Sequence, residues 1–200
     1  MNRELKLLLA ICVLGGLWHL HTRPPSAIAR APGVLAPDPP VQQTLQAPST
    51  ITRGEFTLTP LASFAVEARL LSRLAYSDEG SALAPLDFAL GWGRMSDTAV
   101  IEQLDVSQGS RFFTYRWEQQ PPIPQQEIVV SATNVHLIPA DAAVEAALKR
   151  LRVGQVIELK GVLVEARRED GWYWRSSLSR SDSGNGACEL LLVHEARAVR

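Results

Sequence analysis

Apolar residues recur at every second position through much of the chain beyond Gly54, and the element that this pattern predicts is the half-buried strand. Phe56 and Leu58, then Phe64, Val66, Ala68 and Leu70 alternate with polar or small neighbours, while Ala65, Ala68, Leu71 and Ala75 also share one helical face; a strand followed by a helix-like turn is expected there. Residues 100–106 and 112–117 read as a hairpin around Ser107, Gln108, Gly109 and Ser110, with Phe113, Tyr115 and Trp117 on one face. After the rigid break at residues 121–124, residues 127–131 read as a strand. Residues 155–165 read as another, with Gly161 at the point where a barrel strand bends. Asp170-Gly171 reverses the chain, Trp172 and Trp174 share a face of the return strand, and residues 188–193 complete the sheet.

One helix stands out against this background. Asp141 is a good N-cap, Val144, Ala147, Leu148 and Leu151 fall on one face, Lys149, Arg150 and Arg152 occupy the C-terminal end, and Gly154 lies just past it. A helix dropped between strands predicts a mainly β domain with one or two helices, of the α+β class. The architecture expected is a small, partly closed antiparallel barrel of OB-like shape.

Hydropathy divides the chain in three. Residues 5–20, LKLLLAICVLGGLWHL, are almost uninterruptedly apolar, so residues 1–21 read as a membrane anchor or signal segment. A small-x-small triplet at Ala27, Ile28 and Ala29 offers a cleavage site, but the favoured reading is an uncleaved anchor with Trp18 at the interface. Either way the remainder is exported: the expectation is a single-pass protein of a bacterial inner membrane with its domain on the periplasmic side. Residues 22–53 hold seven of the 13 prolines and lack periodicity, which predicts an extended, semi-rigid linker. Residues 54–200 form the globular domain.

Charge narrows the partners. The whole chain carries a formal −1, but from Gly54 onward there are 15 Lys and Arg against 19 Asp and Glu, so the domain itself stands at −4. Such a surface does not concentrate nucleic-acid phosphates, and no RNA-binding signature is present, so nucleic acid is excluded as a partner. The two cysteines, Cys12 and Cys188, lie in different regions and build no disulfide framework.

Candidate chemistry gathers at three places. Trp92 sits between Gly91 and Gly93, where the backbone bends or approaches another closely. Asn134 and His136 are two residues apart and point the same way on an extended strand, forming either a hydrogen-bonded network or a site. The Ser/Gly-rich loop after Trp174 offers Ser177, Arg180 and Asp182, with an Arg180 to Asp182 bridge as the structural alternative. Trp92, Asn134, His136, Ser177, Arg180 and Asp182 are therefore the candidate binding residues, and the function they point to is recognition of an envelope protein partner or a small ligand. The alternative is a hydrolase or acyl-transfer enzyme with Cys188 as nucleophile, His136 as base and Asn134 or Asp182 as orienter. No metal-ligand spacing, phosphate loop or dinucleotide fingerprint occurs, so neither a metal nor a cofactor is predicted.

The blocks ALGWGRMSD (residues 89–97), SATNVHLIPA (131–140) and SSLSRSDSGNGACE (176–189) resemble a family of uncharacterised bacterial proteins with an N-terminal membrane segment. The resemblance spans the domain from Phe56 onward. It implies an envelope-facing setting and carries no catalytic residue with it.

Overall fold

The computed structural model describes residues 26–182, 184 and 186–199. The expected membrane or signal segment, residues 1–21, lies outside the described residues. Among those described, no helix is long and apolar enough to cross a membrane.

In chain order the elements are β1 (Val41–Thr44), β2 (Ile51–Arg53), β3 (Phe56–Ala75), β4 (Leu86–Gly91), α1 (Thr98–Ile101), β5 (Asp105–Gly109), β6 (Phe112–Arg116), α2 (Gln125–Val130), β7 (Ala132–Pro139), α3 (Ala142–Arg150), β8 (Val156–Arg168), β9 (Tyr173–Arg175) and β10 (Glu189–Ala198). The fold is mainly β, as the alternation predicts. β3 pairs with β4, β4 with β7, β7 with β10, β10 with β8, and β8 with β3 again, so the sheet curls into a partly ring-like form. Every one of these pairs is antiparallel except β7 with β10. That single parallel pair, with α3 bridging β7 and β8, gives the OB-like order.

The long strand β3 organises the ring. Its period-two apolar face places Phe64, Val66, Ala68 and Leu70 inside, against Phe88 and Leu90 of β4, Val135 and Leu137 of β7, and Leu191 and Val193 of β10. Burial on this scale outweighs the weak helical propensity of residues 65–75, so the predicted helix-like turn is absent and the strand runs on, bulging between Leu70 and Ser72. One edge of β3 runs along β8; the other takes β2, β1 and β4 in succession. Gly161 allows β8 to pass β10, since a Cβ there would lie 2.0 Å from the Leu192 carbonyl oxygen.

Residues 100–104, expected as the first part of a hairpin strand, hold the end of α1 and a turn, so that β5 begins at Asp105; two other segments also differ from the sequence reading. Of residues 127–131, expected as strand, 127–130 belong to α2 and Ser131 caps its end; the helix follows Pro124 as N-cap and buries Ile128 against Leu71, Met95 and Ala132. A short run of this composition fits either element, and the packing decides. The Pro-rich stretch is the second. From Ile28 onward it is hydrogen-bonded to the domain at several points, and its last residues form β1 and β2. Proline-rich backbone retains its carbonyls and most of its amides as docking groups, and here the domain supplies their partners.

Candidate functional site

The site is built on the outward face of β4 and β7. Phe88, Leu90, Val135 and Leu137 point into the ring, so by alternation Asp87, Asn134 and His136 point out of it. Register sets Asp87 directly opposite His136, and Ala89 opposite Asn134. The two facing residues meet: His136 Nδ1 lies 2.8 Å from Asp87 Oδ2. Both are buried, with Asp87 wholly enclosed.

The β5–β6 hairpin folds over this face. Its two-residue turn is Ser110-Arg111, both at positive φ (50° and 68°), two residues later than the turn centre read from the sequence. That turn sends Arg111 back into the cluster. Its Nη1 donates to Asp87 Oδ1 at 3.0 Å and to the Ala84 carbonyl at 2.8 Å, and its Nε donates to Asp78 Oδ2 at 2.8 Å. The guanidinium lies 4.0 Å from the Tyr76 ring centre, while the Arg111 amide donates to the Tyr76 hydroxyl. Burial opposes the Arg111 charge, yet its bonds to Asp78 and the charges of Asp87 and Asp78 outweigh burial and raise its pKa. The same bond to Arg111 holds the Asp78 carboxyl below its ordinary range. Asn134 ties the hairpin down: Gln108 Nε2 donates to its Oδ1 at 2.8 Å, and its Nδ2 donates to the Arg111 carbonyl at 3.2 Å.

A solvent-open cleft adjoins the cluster, lined by Arg111, His136, Trp174, Ser177, Asp182 and Cys188 among others. The Trp174 ring packs 4.5 Å from that of His136. With Nδ1 committed to Asp87, the remaining nitrogen of His136, Nε2, bonds no protein group among the described residues, and the ring forms part of the cleft wall. Cys188 stands on the same wall, half-buried. Its Sγ lies 3.8 Å from the Arg111 carbonyl oxygen, and among the described residues no hydrogen bond joins it to His136. Burial pushes its thiol up to about 11, a shift that a bond from Asn134 opposes only in part.

Behind the cleft lies a narrow cavity of about 120 Å³, lined by Trp92, Asn134, Arg180, Asp182 and Glu189 among others. Trp92 is buried and belongs to the ring's core. Arg180 pairs with buried Glu189, which also accepts from the Thr133 hydroxyl, and its guanidinium lies 5.7 Å from the Phe64 ring centre. Asp182 does not bridge to Arg180. It accepts from Ser177 Oγ at 2.6 Å, and so braces the loop from the other side. Among the described residues the three buried Arg180 guanidinium nitrogens have no well-aligned hydrogen bond, and burial lowers the Arg180 pKa. The Glu189 contact is thus one of charge and proximity rather than of hydrogen-bond geometry.

Of the six sequence candidates, His136, Ser177 and Asp182 line the cleft, and Trp92, Asn134, Arg180 and again Asp182 line the cavity. Asp87, Arg111 and Trp174 went unselected. Asp87 carried a readable signal, a lone carboxylate in the apolar run APLDFALGW; Arg111 carried none, because its role depends on the hairpin folding back. Among the described residues no group of three or more His, Cys, Asp or Glu is arranged to hold a metal ion. No family model, curated protein or solved structure matches the chain.

Proposed function

We propose that the chain is a binding module, held at a bacterial envelope membrane by residues 5–20, whose cleft takes a small ligand bearing a hydrogen-bond donor and a flat apolar face. The carrying observation is His136: its Nδ1 is tied to a buried carboxylate, and its Nε2 has no protein partner among the described residues. An imidazole fixed in this way holds one ring orientation, and in its neutral form with Nδ1–H donated to Asp87 it offers Nε2 as one directional acceptor. Trp174 supplies the apolar wall beside it, and Ser177 and Asp182 supply rim hydrogen-bonding groups. The outward face of these two strands is also where OB-like folds bind their ligands, a fold-level analogy that agrees with the site without defining its ligand.

The test is a thermal-shift and NMR screen of the full chain in detergent against phenols, indoles and aromatic amides. Ligands that raise the melting temperature and shift the His136 ring ¹⁵N signals, with the melting-temperature rise lost in His136→Ala, support the reading. A set that leaves the His136 signals unmoved overturns it, and retention of an envelope protein by the same surface would instead favour a macromolecular partner.

A second reading, a Cys/His hydrolase or acyl-transfer enzyme, draws on the presence of Cys188 in the same cleft as the Asp87–His136 pair. Two observations oppose it. The thiol is held neutral, with a pKa of about 11, and no bond to His136 exists to draw off its proton. Alkylation of native Cys188 at neutral pH, abolished by His136→Ala, would restore this reading.

A further inference from the structure

The first described stretch of the chain is a strap laid on the domain. The Ile28 amide donates to the Val153 carbonyl at 2.7 Å and Arg30 Nε to the Gly154 carbonyl at 3.0 Å. The Leu35 and Ala36 amides share Ser96 Oγ, each at 3.0 Å, and the Gly93 amide donates to the Ala36 carbonyl at 2.8 Å. Gly154, at φ +88°, is the seat of the strap, since a Cβ there would lie 2.0 Å from the Ile28 carbonyl oxygen. Seven residues separate Leu20, where the apolar run ends, from Ile28, where docking begins, and the eight Cα–Cα steps between those two reach at most about 29 Å.

The seat is also where unpaired positive charge collects. Arg73 Nη1 donates to the Leu151 and Lys149 carbonyls at 2.5 and 2.9 Å, Arg30 reaches Gly154, and Arg150 and Arg152 flank Leu151 in the sequence. Among the described residues none of these four arginines forms an ion pair, a property shared by Arg53, Arg69 and Arg116 elsewhere, whereas Arg94, Arg111, Arg168, Arg175, Arg180 and Arg197 all do. The nearest carboxylate on the same helix, Glu145, is engaged by Lys149 at 2.5 Å. A domain of formal charge −4 thus keeps a cationic patch at the place where its short tether arrives. Part of it serves the carbonyl end of α3, a role that one or two cations suffice to fill.

We propose that this face, centred on Arg150 and Arg152, rests on anionic phospholipid headgroups. Arginine forks match phosphate oxygens, and basic groups close to an anionic bilayer are held there electrostatically. The proposal rests on the reading that residues 5–20 insert in a membrane. It differs from a freely tethered domain in assigning an orientation: the patch faces the lipid.

The experiment reconstitutes the full chain in nanodiscs of phosphatidylcholine alone, or with phosphatidylglycerol, and follows amide hydrogen exchange across residues 149–155. Slower exchange in the anionic discs is expected, reversed by high salt. Arg150→Gln with Arg152→Gln should weaken docking about fivefold per charge removed, with the melting temperature unchanged because neither side chain bonds within the described fold. A chain that survives an alkaline wash yet exchanges equally in both discs overturns the proposal and leaves the anchor intact. A chain that washes off neutral discs, stays on anionic ones and is released by the double substitution defeats the anchor and keeps the patch. Loss from both compositions defeats both.

Discussion

Two buried charge assemblies stand on opposite faces of β7, and they are built to different standards. On the outer face, Asp87 receives Arg111 on one oxygen and His136 on the other, while Asn134 and Asp78 take up neighbouring donors. On the inner face, Arg180 meets Glu189 with no well-aligned hydrogen bond to its three nitrogens among the described residues. A buried carboxylate bonded at both oxygens, as Asp87 is, specifies one arrangement of its partners, whereas a poorly aligned pair still bears the desolvation cost of both charges. The outer assembly therefore has the character of a preorganised site, and the inner one that of a plug at the end of the ring's core.

Substitutions should separate the two. The largest effect is expected from Asp87→Ala, which leaves Arg111 without one of its two carboxylates and His136 without its Nδ1 partner; urea denaturation should show a loss of about 3–5 kcal/mol. Replacing both members of the inner pair, Arg180→Met with Glu189→Leu, should leave stability unchanged or raise it by about 1–4 kcal/mol. A loss as large as that of Asp87→Ala would place the two assemblies on an equal footing. Gln108→Ala removes one neutral bond to Asn134 and should cost about 1 kcal/mol, with faster amide exchange confined to the β5–β6 hairpin.

Acid tests the latch without mutation. The folded Asp78 carboxyl titrates below its ordinary range, so its contribution is present above that range and is lost as the pH falls through the lowered value. Hairpin amides should exchange faster, after correction for intrinsic rates, at about pH 3 than at about pH 6. The smallest expected signal is at Cys188. In a Cys12→Ser background its alkylation should be slow at about pH 8 and rise toward the thiol pKa of about 11, the thiol stabilising the fold below its unfolded pKa and ceasing to do so as the pH climbs through the folded one.

Local pattern made part of this legible. The shared direction of Asn134 and His136 follows from strand period alone, and α3 announced itself by cap, stripe and stop. The partner of His136 did not, because pairing Asp87 with it requires the β4–β7 register, which joins residues 49 apart. Arg111 depends on a turn whose two central residues, Ser110 and Arg111, are not the glycines or asparagines that mark such turns. The strap was illegible for another reason. The strap's own docking groups are mostly backbone amides and carbonyls, which every sequence possesses, the Ser96 hydroxyl that receives two of them lies 60 residues beyond Ala36, and Gly154 reads equally well as a helix terminator.

The docking of Ile28 also sets an order of events. Ala27, Ile28 and Ala29 form a small-x-small triplet beyond the apolar run, and Ile28 is hydrogen-bonded to Val153 and seated over Gly154. A peptidase needs its substrate extended and detached, so any trimming at this triplet must win a race against folding of the strap onto β8's approach. Once the domain has closed over Ile28 the docked backbone shields that triplet, so a trimmed form, if the chain is exported and cut there, would have to arise before the sheet is complete.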